Sequence, residues 1–448
     1  MSRSAPAPDM GLAGLRGLVV RNASLLLNAG ALAFGTIVTA VLGFAYWFVA
    51  ARSFTPEAVG VAAAAVSMMS LLAQAGETGL GPMLIGHVPR RPQDAGALIS
   101  TALAAAAIGC VAVGLCYGGL AQLLPIGMGD LLAGASGCIL FAAGVGVTGI
   151  SLVVDQAFVG LMRSATAMWR GIGFAAGKLA MLCLVAWLVA GATGADILAT
   201  WILAQAASLL VLAGSIRFRH GTQGRAWARP SLTMLRPLAG DILGHHAVNV
   251  ALQVPSLALP LVVTVVLSAE TNAAFYAGWA VLNVAFLVPA SLATVVYSSG
   301  SGDPARIAPG LRLSLGISAL TGLVAGLAFL LASQAILGLF SPRYPELAGT
   351  SLSLLGFGAL AVGVKYHFVA VERLRGRLGP AAMVLAAGGT LELAGAVLGA
   401  RYGGLTTLVQ GWLAAACLQA VVMAPAILQS AFPAVAEADA APSLHPQR

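Results

Sequence analysis

Glu77, Asp155, Arg170, Lys178, Lys365 and Glu392 stand inside or at the edge of long apolar stretches. Ionisable groups are costly there, and usually face a cavity, a proton path or a charged partner. Arg170 and Lys178 lie eight residues apart on one expected helix, and together could present positive charge to an anionic ligand. The competing reading is structural: an ion pair with Asp155 and a lysine that snorkels towards water. Asp155 is therefore a candidate partner of Arg170 or Lys178, or a coupling group. Glu77 sits in Gly76-Glu-Thr-Gly-Leu-Gly-Pro82, where glycine and proline weaken a helix. A broken helix beside an acid suits a cavity or cation site; a simple helix end capped by Glu77 is the alternative. Glu392 is the one charge in GGTLELAGAVLG. A buried carboxyl without a cation is held protonated or exchanges protons, so Glu392 is a coupling or packing candidate. Asp241, His245 and His246 open another apolar segment, as a metal or proton site would, or as a plain interfacial helix start does. Lys365 is read as a snorkelling side chain. The candidate head-group residues are thus Lys178, Arg170 and Glu77, and the candidate coupling or ion-pair residues Asp155 and Glu392. No catalytic set and no metal site is expected.

The elements that carry these residues follow from composition. The chain is 59% hydrophobic and 8% charged, against roughly 25% charged in soluble domains. Its apolar runs are continuous and reach the ~20 residues a bilayer-crossing helix needs, which excludes strands of alternating polarity. Spans are expected at about 25–50, 58–86, 97–124, 132–161, 168–190, 196–216, 243–268, 273–298, 311–340, 348–371, 379–400 and 405–428. The first is too long for a cleaved signal sequence. Of the 23 Lys and Arg, Arg52, Arg343 and Arg401 fall on one side, Lys178 and Lys365 within spans, and the rest on the other side. The positive-inside rule then puts both termini in the cytoplasm of a bacterial inner membrane. The expected organisation is a disordered tail (1–20), a six-helix unit (21–216), a basic linker (217–242), a second six-helix unit (243–430) and a disordered tail (431–448). Arg52-Ser-Phe-Thr-Pro-Glu57 and Leu267-Ser-Ala-Glu-Thr-Asn272 make corresponding turns in the two units. The five cysteines form no CxxC pair and read as free thiols in apolar segments. Gly144-Val-Gly-Val-Thr-Gly149 matches a dinucleotide fingerprint by spacing only: it lies mid-span with no strand before it. There is no GxxxxGK[ST] loop, so no ATP site or other cofactor is expected. The net charge of +8 is spent on topology rather than on nucleic acid.

Four stretches resemble one transporter family. GFAYWFVAARSFTPEAVGVAAAAVSMMSLLAQAGETGLGPMLIGHVPR combines an aromatic helix end, Ala-Arg, a Pro-Glu turn and a Gly-rich segment closing on basic residues. Asp155-Gln-Ala-Phe-Val-Gly-Leu-Met-Arg163 with Trp169-Arg170 and Lys178 forms the second. The third runs from Leu257 to Leu292 with Pro260 and Pro289, and the fourth joins Phe340-Ser-Pro-Arg-Tyr-Pro-Glu346 to Val371-Glu-Arg-Leu-Arg-Gly-Arg377 and Gly403-Gly404. In order and spacing these resemble the polysaccharide-transporter, Wzx-like flippase branch of the multidrug/oligosaccharidyl-lipid/polysaccharide (MOP) exporter superfamily. The resemblance implies an all-α polytopic, MATE-like protein with about twelve helices in two six-helix bundles. It implies no enzyme activity, but translocation of a lipid-linked oligosaccharide of polyprenyl-pyrophosphate type for surface polysaccharide synthesis, with membrane lipids and polysaccharide polymerase machinery as partners. It also implies that Lys178 and Arg170 face the pyrophosphate or an acidic sugar. The alternative is a multidrug or cation exporter of the related MATE branch. A membrane-embedded glycosyltransferase is disfavoured, because every expected outside loop is short.

Overall fold

The computed structural model describes residues 23–123, 129–220, 229–302 and 307–432. The N-terminal tail, nearly all of the C-terminal tail and the middle of the basic linker lie outside these residues. Every regular element among them is helical. The first set of long helices is α1 (Ala23–Ser53), α2 (Pro56–Gly76), α3 (Ala95–Ala121), α4 (Gly134–Gly160), α5 (Ser164–Leu188) and α6 (Gly194–His220). The second is α7 (Ala239–Val266), α8 (Ala269–Gly302), α9 (Ile307–Phe340), α10 (Gly358–Leu374) and α11 (Leu378–Ala431). All 11 are long and apolar enough to cross a membrane. α11 must cross twice: 54 residues at 1.5 Å each extend far beyond the ~30 Å hydrocarbon core. Its reversal falls at Gly403 and Gly404, the latter at φ 71°, a left-handed conformation that glycine adopts without steric cost. The described residues thus hold apolar helix enough for twelve crossings, in the order read from the sequence.

The two sets repeat one another in detail. Thr55 Oγ1 accepts the Ala58 N–H at 3.3 Å at the start of α2, and Ser268 Oγ accepts the Thr271 N–H at 3.0 Å at the start of α8. These are helix N-caps, placed at the two corresponding turns. The α4–α5 and α10–α11 turns also match bond for bond. Leu161, Met162 and Arg163 donate to Ala157, Val159 and Phe158, as Arg375, Gly376 and Arg377 donate to Val371, Arg373 and Glu372. Met162 and Gly376 share the positive φ this turn needs, 55° and 68°. Residue 161 therefore corresponds to 375, and along the flanking helices Ser151 corresponds to Lys365 and Lys178 to Glu392.

The sets meet along α2, which packs on α7 and α8. At the end away from the arginine-rich loops the contact is tight. Asn272 Nδ2 donates to Gly60 O at 2.8 Å, and Arg52 Nη2 to Leu339 O at 2.9 Å. Trp47 meets Tyr276 at 4.7 Å between ring centroids, and Phe44 meets Phe340 at 5.0 Å. A Cβ at Gly60 would fall on the carbonyl of Ala269. Gly60→Val is therefore expected to oppose this closed end by roughly 1–3 kcal/mol, the usual cost of overpacking, about a ten- to hundredfold shift towards separated ends. Cross-linking yield between cysteines placed on α2 and α8 would read it; an unchanged yield in a properly inserted protein contradicts the role of this contact as the seal.

Candidate functional site

At the opposite, arginine-rich end the two sets part around a cavity of about 400 Å³. α2 contributes Gln74, and Glu77 follows it; Gln156 comes from α4, His246, Asn249 and Gln253 from α7, Tyr297 from α8, and Tyr366 and Arg373 from α10. The lining is thus amide-rich and aromatic, with one acid, one guanidinium and one imidazole.

Glu77 reaches the cavity because the chain breaks beside it. α2 ends at Gly76, Thr78 and Gly79 take φ 49° and 77°, and a short helix restarts at Leu80–His87. Glu77 Oε2 accepts the Gly81 N–H at 2.9 Å, so the carboxylate both caps that helix and borders the cavity. The break and the capping bond are both present, and Glu77 lies on the cavity wall. Arg373 has a different setting. Its Nη2 donates to Asn249 Oδ1 at 2.6 Å, its guanidinium lies 6.0 Å from the Tyr297 ring centroid, and its buried Nε has no protein partner. Among the described residues no carboxylate pairs with it. A guanidinium held by an amide and a ring keeps donors for an anion. The sequence hid this residue, since Arg373 opens the RLRGR cluster, which has the look of a basic inter-helix loop.

Arg170 and Asp155 come together away from this cavity. Arg170 Nε donates to Asp155 Oδ1 at 2.6 Å, Nη2 pairs with Oδ2, and Nη1 donates to Ser208 Oγ at 3.0 Å. Arg170 borders a separate recess of about 620 Å³ among α4, α5 and α6. The pairing anticipated for Asp155 is therefore with Arg170 and not with Lys178. Lys178 is 5% exposed and lines neither space. Its Nζ lies 3.4 Å from the Trp201 ring centroid and 5.0 Å from those of Tyr46 and Phe174, an aromatic box for a cation.

Glu392 does have a cation. Lys365 Nζ donates to its Oε1 at 2.7 Å, and Trp412 Nε1 to its Oε2 at 3.0 Å. Lys365 is 2% exposed, so it is a buried ion-pair partner and not the snorkelling side chain expected from its place near a span end. The missing signal was distance in sequence: α10 and α11 had to be packed before these residues could meet. His246 lines the main cavity, whereas Asp241 lies outside the described side chains. Among the described residues no group of three metal-ligating side chains gathers, and all five cysteines are free thiols.

No family model matches the chain. A curated relative, the multidrug resistance protein NorM of Burkholderia vietnamiensis, is 30% identical over 260 residues, which is 54% of this chain and 50% of the relative. The match thus spans half the length of that protein. Among solved structures, an inward-facing multidrug resistance MATE family transporter of the MOP superfamily superposes with TM-score 0.67 at 13% identity, covering 90% of this chain and 95% of that one. An outward-facing MATE transporter gives 0.58 at 15% identity, covering 94% and 97%. A MOP superfamily transporter from Pyrococcus furiosus, whose binding pocket is described as of reverse polarity, gives 0.61 at 15% identity, covering 92% and 96%. The chain has the MATE fold over nine-tenths of its length.

Proposed function

We propose that this protein is an alternating-access flippase that moves a lipid-linked oligosaccharide from the cytoplasmic to the outer leaflet. One observation carries the reading: the cavity between the bundles pairs an uncompensated guanidinium, Arg373, with amides and tyrosines. Amide side chains exchange hydrogen bonds with sugar hydroxyls, tyrosine rings lie against sugar faces, and guanidinium matches phosphate oxygens in two-pronged fashion. The cavity opens at the arginine-rich end, which the positive-inside rule makes cytoplasmic, while the Gly60–Asn272 and Trp47–Tyr276 contacts close the other end. The higher score against the inward-facing relative accords with that state. Rocking of one bundle against the other then carries the head group across, while the polyprenyl tail stays in lipid. Arg373 takes the pyrophosphate in this scheme. Arg170 is held by Asp155, and Glu77 borders the head group.

A second reading is favoured by the named relatives: export of drugs or organic cations, with Glu77 as the acid that meets them. Proteoliposomes separate the two. Protein loaded with fluorescent or isotopically labelled polyprenyl-pyrophosphate glycans should expose their sugars to a membrane-impermeant glycosidase, with empty liposomes as background. Protected glycans across a neutral and acidic panel, together with dye counterflow in the same vesicles, would replace the flippase reading by the exporter.

A further inference from the structure

Lys178 and Glu392 occupy the same position in the two bundles, yet only one of them is neutralised. The matched α4–α5 and α10–α11 turns set this correspondence, and each residue contacts a tryptophan of the crossing that follows its own, Trp201 of α6 or Trp412 beyond the Gly403–Gly404 reversal of α11. In the second bundle the charge is answered by Lys365. In the first, the position matching Lys365 is Ser151, 1% exposed, whose hydroxyl has no partner. Lys178 thus has rings where Glu392 has a counter-ion.

The box around Lys178 also touches the seal between the bundles. Tyr46 and Trp201 form two of its walls, Trp47 packs on both, and Trp47 meets Tyr276 of the second bundle. Separation of the outer ends must break the Trp47–Tyr276 contact, remove one support of the box and bring water towards Lys178. Among the described side chains, the other charged groups on the packed helices are occupied elsewhere. Arg52 of α1 bonds to Leu339, Asp155 of α4 to Arg170 of α5, and Asp196 of α6 to Thr193. Tyr46 spends its hydroxyl on Ile197 O and Thr200, and Cys183 faces outward on α5.

We propose that Lys178 is a proton-binding site that couples the outer seal to pH: the closed seal favours the neutral amine, and the open seal favours the ammonium. An ammonium in the closed box has lost its hydration with only cation–π contact to replace it. Water restores that hydration when the ends part. Protons therefore bind the outward-open state more tightly, and acid shifts the population towards it. One proton moves such an equilibrium by at most about tenfold per pH unit.

The inference rests on alternating access but on no particular cargo, so the test reads a distance. Spin labels at Ala190→Cys and Tyr402→Cys sit on exposed outer positions of the two bundles. They go into full-length protein with Cys116, Cys138, Cys183 and Cys417 replaced by alanine, reconstituted in lipid nanodiscs between pH 5 and 9. The long-distance population should grow as pH falls. Lys178→Met should abolish the dependence, and Lys178→Arg should hold the long distance at every pH. Ser151→Asp, which supplies the missing counter-ion, should hold the short distance into acid. A pH response that survives Lys178→Met overturns the assignment of the proton to Lys178. A single distance at all pH values in the parent protein overturns the alternating-access reading together with it.

Discussion

Arg373→Gln is expected to lower transport roughly ten- to hundredfold while the protein still inserts and folds. Hydrogen bonds to a charged group are worth about 1.5–3 kcal/mol, and each 1.4 kcal/mol is a tenfold change in affinity. Glutamine keeps an amide-sized donor for Asn249 and Tyr297 but removes the charge and the free Nε. The loss should fall on anionic cargo and spare neutral cargo. Arg373→Lys should recover only part of it, because an ammonium restores the charge without the two-pronged geometry. Arg375→Gln is the matched control. Arg375 is two residues along, and it bonds to Glu372, Ala426 O and Ser430 instead of facing the cavity. Its loss should show in thermal stability and leave the cargo preference alone. Transport rates in proteoliposomes over neutral and phosphorylated glycolipids make the comparison. Equal rates for Arg373→Gln and the parent on phosphorylated cargo would remove the anion-binding role and strengthen the drug-export reading.

The helices were legible because their signals are local. Continuous apolar runs marked the crossings, Arg52-Ser-Phe-Thr-Pro-Glu57 marked the turn before α2, and the gap between the spans expected at 379–400 and 405–428 marked the reversal within α11. Glu77 was legible for the same reason: glycine and proline around an acid announce a break, and the break is there. The Asp155–Arg170 pair lay within reach of a single helical hairpin, and was read as one of two options. What the sequence hid needed packing. The Lys178 box needs Tyr46 of α1 and Trp201 of α6 beside Phe174, which lies one turn before Lys178 on α5; only the Phe174 wall follows from spacing along the chain. Lys365 and Glu392 each look solitary in an apolar run, and they neutralise each other only when α10 lies against α11. Arg373 was masked by its neighbours, because a cavity arginine one turn inside a basic loop has the same local sequence as a topology-setting arginine. The repeat was faint in residues and plain in backbone, since Met162 and Gly376 serve one turn without resembling each other.

Lys365→Met should destabilise the protein by roughly 3–5 kcal/mol, the usual cost of leaving one member of a buried ion pair behind. Glu392 is 1% exposed, and Trp412 alone would remain to its carboxylate. The double variant Lys365→Met with Glu392→Gln should recover most of that loss. It removes both charges, and the glutamine carbonyl still accepts the Trp412 N–H. Unfolding in detergent, followed by the fluorescence of Trp279 and Trp412, which lie edge to face at 5.2 Å, would measure both. A double variant no more stable than Lys365→Met would mean that Lys365 works through packing rather than charge. The comparison also tests the division of labour between the bundles. If the Lys365–Glu392 pair only keeps α10, α11 and their neighbours together, the double variant should transport at the parental rate and keep the parental pH response. The charge at the corresponding place in the first bundle, Lys178, has no such partner, so its energy depends on whether the seal beside it is closed. One bundle then moves as a rigid unit, and the other carries the group that registers the movement.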